Sequence, residues 1–149
     1  KPLVEAMVTA SSSADQDTGE AARRQTAAAL ALLARGSKDA QKAIAGAGGI
    51  PPLISIVASD APGLMRARES GAAALADLAL IRANREAIVA AGAIQPLVQL
   101  LNSGGDTGKR CAACALARLS LGEDACAAVA GAGAIAPLVA LLSGEHGEG

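Results

Sequence analysis

The sequence predicts an all-α protein, a helical solenoid of about three repeats. Three observations carry that expectation. Gly48-Gly49-Ile50-Pro51-Pro52-Leu53-Ile54 returns as Gly92-Ala93-Ile94-Gln95-Pro96-Leu97-Val98 and as Gly133-Ala134-Ile135-Ala136-Pro137-Leu138-Val139, at steps of 44 and 41 residues. A period of this length marks stacked helical units, each burying its apolar face against its neighbours. No segment alternates with period two, so strands are not expected. Alanine makes up about a quarter of the chain and Phe, Tyr and Trp are absent, which favours helices packed through Leu, Ile, Val and Ala.

The elements follow in order. A beheaded copy, Lys1-Pro2-Leu3-Val4, opens the chain. Ser11 to Asp17 is the longest and most polar interruption and reads as a projecting, mobile loop. Asp17 or Thr18 then caps a long helix, Asp17 to Arg35. Each later unit reads as three helices. The short first helices are Lys38 to Ala47, Arg82 to Ala91 and Glu123 to Ala132, the second of them ended by Gly92. The second helix is clearest from Ile94 to Asn102. Pro96 falls in its first turn, and the stripe of Leu97, Val98, Leu100 and Leu101 is too wide for a surface helix. The long third helices are Pro62 to Leu80 and Thr107 to Leu121. Leu30, Leu75 and Leu116 share one register of the long helices and Leu33, Leu78 and Leu119 the next, with Cys114 also expected inward. Ser143 to Gly149 reads as a frayed end. The expected division is a single domain, 1–149, with a partial repeat over 1–35, repeats over 36–80 and 81–121, and a partial repeat over 122–149.

Composition narrows the function classes. At a net charge of −1, no bulk field recruits nucleic acid or a membrane surface, and no aromatic side chains stack on bases. No apolar run is long enough for a transmembrane helix. An aliphatic, alanine-rich core buries less area per residue than an aromatic one, so modest intrinsic stability is expected. The start at Lys1, inside a repeat, predicts a fragment or processed product of a longer chain. Three cysteines cannot all pair within one chain, which points to a reducing intracellular compartment: cytoplasm, nucleus or an organelle stroma.

The run Ala91-Gly92-Ala93-Ile94-Gln95-Pro96-Leu97-Val98-Gln99-Leu100-Leu101, together with Ala73-Ala74-Leu75-Ala76-Asp77-Leu78 of a long helix, resembles the armadillo repeat, and the likeness covers nearly the whole chain. It implies a right-handed superhelix whose third helices line a concave groove. Members like importin alpha present a Trp, and four residues later an Asn, from each third helix to clamp a basic peptide. Here the Trp position falls on Ala28, Ala73 and Cys114, and the Asn position on Leu32, Asp77 and Arg118. With both ladders gone, recognition of nuclear-localisation peptides is not expected.

Charge is unevenly shared along the chain. The long-helix segments Glu20–Arg35, Pro62–Arg82 and Gly105–Leu121 carry nine basic against four acidic residues, a net +5, leaving −6 elsewhere. Helical spacing places Arg24, Gln25, Arg66, Glu69, Asp77, Arg110 and Arg118 near the concave side, as candidates for binding an acidic or mixed-charge extended segment. A solvated helix face is the competing reading.

Cys111 and Cys114 invite a metal or redox reading, but they sit inside a predicted helix, and the single His, His146, lies in the tail. Small apolar cysteines packed among alanines are the expectation. Gly46 to Gly49 and Gly131 to Gly133 follow helices and so read as helix breaks, not phosphate loops. No nucleophile–base pair or carboxylate pair stands at catalytic spacing, so neither an enzyme nor a cofactor is expected. The function expected is a non-catalytic protein-interaction module, an adaptor or scaffold working through its concave face. The alternative is a subunit of a larger assembly docked through its ends and convex surface. Leu3, Val4 and Met7 at one end, and Leu138, Val139, Leu141 and Leu142 at the other, would then need a covering layer. The substrate-binding arm of a ubiquitin ligase is a third class, though no U-box is present.

Overall fold

A computed structural model describes residues 16–144. The expectations for Lys1–Val4, for Leu3, Val4 and Met7, for the loop from Ser11 as far as Asp15, and for the tail beyond Gly144 with His146 lie outside the described residues. Within them the chain forms nine α-helices and no strand. They are α1 (Gln16–Gly36), α2 (Lys38–Gly46), α3 (Ile50–Ala58), α4 (Met65–Leu78), α5 (Arg82–Ala90), α6 (Ile94–Ser103), α7 (Asp106–Leu119), α8 (Glu123–Gly131) and α9 (Ile135–Leu142).

Helices α2–α4 and α5–α7 make two three-helix units. α1 is the third helix of a preceding unit, and α8–α9 are the first two helices of a following one. The recurrent glycine sets the corner between first and second helices. Gly48, Gly92 and Gly133 take φ of 84°, 86° and 87°, the left-handed region that suits glycine. Beyond it, the amides of Gly49 and Ala93 donate to Ile44 O at 2.9 Å and Ile88 O at 3.3 Å, which satisfies carbonyls the helix end would orphan.

The long helices α1, α4 and α7 lie side by side, and α4 and α7 roof α3 and α6 within their own units. Close approach needs small residues at the crossing points. A Cβ added at Gly71 would stand 3.1 Å from Val57 Cγ2, and one at Gly108 3.2 Å from Leu100 Cδ1. The core is one continuous aliphatic stack through Leu30, Leu53, Leu75, Leu97 and Leu116, all fully buried.

Four local expectations are corrected. Residues 17 and 18 are already helical, because α1 includes Gln16, so neither Asp17 nor Thr18 precedes the helix as its cap. The long helix expected from Pro62 opens as a 3-10 turn, Pro62–Leu64, before α4. Leu33 is 46% exposed although Leu78 and Leu119 of its register are buried. Among the described elements α1 has a long-helix neighbour on one side only, whereas α4 is flanked on both. Cys114 is exposed, not inward, because it occupies an open side of α7 that no described helix covers, while Leu116 and Leu119 turn toward the core.

Candidate functional site

Side-by-side stacking of α1, α4 and α7 brings Arg35, Asp77, Arg110 and Arg118 to one shallow groove of about 250 Å³, floored by Ala73, Cys111 and Cys114. Asp77 and Arg118 hold the same register in adjacent layers, and they meet. Arg118 Nη1 donates to Asp77 Oδ1 at 3.1 Å and to the carbonyl of Ala76 at 2.7 Å. This bridge ties α4 to α7 and spends the groove's carboxylate on an internal partner. Arg35 and Arg110 are exposed and have neither an ion-pair nor a hydrogen-bond partner among the described residues. The groove is therefore lined by two uncommitted guanidinium groups.

The remaining candidates scatter. Glu69 is half-buried at the α4–α7 boundary, its Cγ 3.5 Å from where a Cβ on Gly108 would be. Arg24 sits at the 3-10 turn, its Nη1 donating to Gly63 O at 3.4 Å. Gln25 and Arg66 are exposed and do not line the groove. Arg35, by contrast, was not among the candidates. Its long side chain reaches the groove from the end of α1, and only the angle between stacked helices puts it there.

The +5 on the long-helix segments is not a groove charge in full. Arg68 is buried, and its Nε donates to Val57 O at 3.0 Å, closing the end of α3. Arg82 pairs with Glu86 at 3.2 Å on the surface of α5.

Cys111 lies half-buried beneath the arginines. Burial pushes its thiol above the ordinary value, and Glu69 and Cys114 push the same way, against Arg110 and Arg35. A thiol held protonated in this way is no activated nucleophile. Cys114 and Cys126 are exposed, so the expectation of three cysteines packed among alanines is corrected: the faces they occupy have no covering helix. Among the described residues no three His, Cys, Asp or Glu side chains gather as a metal-ligand set. No single described helix is long and apolar enough to cross a membrane.

A larger cleft, about 700 Å³, opens between the first helices α5 and α8, with Arg85, Glu86 and Val89 facing Leu121, Glu123 and Asp124. Sequence reasoning missed it, because the gap between two first helices depends on how far each layer rotates over the last. Its walls carry both signs of charge, and it has no convergent constellation.

Comparison with known proteins places this geometry in a wider set. Residues 82–121 match the family model of the armadillo/beta-catenin-like repeat. An engineered protein superposes with a TM-score of 0.80 at 31% identity, covering 99% of this chain and 57% of that one. A computationally designed armadillo repeat protein for modular peptide recognition superposes with a TM-score of 0.78 at 26% identity, covering 95% of this chain and 56% of the other. A designed armadillo repeat protein in complex with the peptide (KR)4 superposes with a TM-score of 0.73 at 26% identity, covering 93% and 56%. The chain thus spans a little over half the length of these structures. No curated protein sequence matches it.

Proposed function

We propose that this chain, a member of the armadillo-repeat family, is a non-catalytic recognition module that binds an acidic or mixed-charge peptide segment along its concave face. The observation that carries the reading is the uneven fate of the groove charges. Asp77 is engaged by Arg118, whereas Arg35 and Arg110 are uncommitted. The designed relative was solved with (KR)4, a basic peptide. This groove is lined by Arg35, Arg110 and Arg118 against the one carboxylate of Asp77, and its Trp and Asn ladder positions hold Ala28, Ala73, Cys114, Leu32, Asp77 and Arg118. Guanidinium groups suit carboxylates because they donate two parallel hydrogen bonds.

The test compares labelled Glu-Ser and Lys-Arg repeat peptides by fluorescence anisotropy on the whole chain. The acidic peptide should bind more tightly and weaken as salt is raised. Arg35→Glu with Arg110→Glu should cost about tenfold in affinity, since each of the two reversals at an exposed position changes binding by roughly 0.7 kcal/mol. Arg118 is left intact, because reversing it would also break the bridge to Asp77. Preference for the basic peptide, or unchanged affinity in the double variant, would overturn the reading.

A second reading, a subunit docked into an assembly through its ends, is favoured by one observation. The apolar residues Ile135, Val139 and Leu142 of α9 are exposed.

A further inference from the structure

On α7, Arg110, Cys114 and Arg118 follow one another at intervals of four residues, so one face of the helix carries them turn after turn. Arg35 reaches the same groove from α1, and Cys111 lines it as well. Arg118 is held by Asp77 and by the carbonyl of Ala76, whereas Arg35 and Arg110 have no partner among the described residues. Cys114 is exposed among these guanidinium groups. Its exposure belongs to its register. Ala28 of α1 is exposed at the same position, and Ala73 of α4 floors the groove although α4 has a long helix on each side.

Charge and size decide what this thiol can meet. Arg35, Arg110 and Arg118 stand against the single carboxylate of Asp77, so the lining repels a metal cation and attracts an anion. The groove holds about 250 Å³, at the lower edge of the roughly 300–1,000 Å³ that takes drug-sized ligands, which suits a tripeptide-sized molecule. Guanidinium groups select carboxylates, and an accessible thiol selects a disulfide.

We propose that Cys114 is a site of reversible S-thiolation by an anionic low-molecular-weight disulfide of the glutathione class, whose carboxylates are seated by Arg35 and Arg110. This rests on the reading of those arginines given above and supplies a switch for the same groove. The Cys114 thiolate attacks one sulfur of the disulfide. A bond forms between Cys114 Sγ and that sulfur, the original S–S bond breaks, and its electron pair leaves on the second sulfur, which takes up the proton that Cys114 gave up. Cys114 is oxidised and the departing half is reduced to a thiol. The bound half then occupies the arginines that an acidic peptide needs, and a reducing thiol reverses the exchange. Cys111 is slow to displace the bound half, because burial keeps its own thiol protonated.

Cys126 is an internal control. It is exposed too, but its helix α8 carries Glu123 and Asp124 in the first turn and no basic residue. The whole reduced chain is treated with glutathione disulfide or with cystamine, a cationic disulfide, and adducts are located over time by peptide mass spectrometry. Glutathione disulfide should modify Cys114 about tenfold faster than Cys126, and raised salt should shrink that ratio. Cystamine should remove or invert it. Arg35→Glu with Arg110→Glu should slow glutathione transfer to Cys114 about tenfold, with circular dichroism unchanged because both residues are exposed. The modified chain should bind the Glu-Ser peptide at least about tenfold more weakly, and dithiothreitol should restore binding. The rate ratio is read without any peptide. Selective transfer to Cys114 in a chain that binds no peptide would support the thiol site and sink only the peptide reading. Equal rates at Cys114 and Cys126, a Cys114 preference that cystamine shares, or a Cys111–Cys114 bridge in place of the mixed disulfide would overturn the proposal.

Discussion

Arg68 is a charged side chain used to build structure. Buried within α4, it donates from Nε to the carbonyl of Val57 and so satisfies the end of α3. Arg68→Ala should lower unfolding free energy by about 1–3 kcal/mol, the cost of an orphaned buried carbonyl with lost packing, as measured by urea denaturation. Counting charges along the long helices could not separate this arginine from Arg110, because both lie among polar neighbours in sequence. Their different burial comes from α3, which lies beside one and not the other. Cys111 gives a second test at this scale. Its thiol ionises at higher pH folded than unfolded, so it supports folding below the ordinary value of 9.0 and loses that support as pH rises through the folded value. The stability gap between the native chain and Cys111→Ala should be constant below about pH 8 and shrink above it. At neutral pH, iodoacetamide should modify the exposed Cys114 and Cys126 before Cys111.

Equivalent positions on the first helices show how one element finishes another. Gln41 on α2 donates from Nε2 to Ala34 O at 2.7 Å, and Arg85 on α5 donates from Nη1 to Ala79 O at 2.9 Å. Each side chain closes the carbonyl end of the long helix before it. One repeat further, the position is Cys126, which is exposed and too short to do this. Arg85→Ala should therefore cost about 0.5–1.5 kcal/mol, and Cys126→Arg should raise stability by a similar amount by reaching the end of α7. Thermal unfolding checks both, with Cys126→Ala as the neutral control; a Cys126→Arg melt no higher than that control would remove the capping role. The recurrent glycines were legible at this scale because a left-handed corner after a helix restricts the residue type. Gly92→Ala should destabilise by about 1–2 kcal/mol for the same reason.

Each layer of the stack touches only its neighbours, so stability is the sum of layer and interface contributions. α4 is flanked on both sides, whereas α9 has no buried residue of its own. Leu75→Ala, at a fully buried site, should cost about 2–5 kcal/mol; Leu138→Ala, at a half-buried one, should cost less than half as much. Native-state hydrogen exchange should find α4, α6 and α7 the most protected and α9 among the first to open. Uniform protection along the chain would mean that the layers unfold as one block.

Period, helix type and the Leu registers were determined by the sequence alone, because apolar spacing and left-handed corners are local properties that survive translation from unit to unit. The groove was legible only in part. Asp77, Arg110 and Arg118 could be placed from register, but their pairing could not, since it depends on how far one long helix lies from the next. Arg35 in the groove, Arg68 in the core, and the exposure of Leu33 and Cys114 were all decided by tertiary structure. Which side of a helix meets a neighbour, and which meets none, is a property of the stack as a whole.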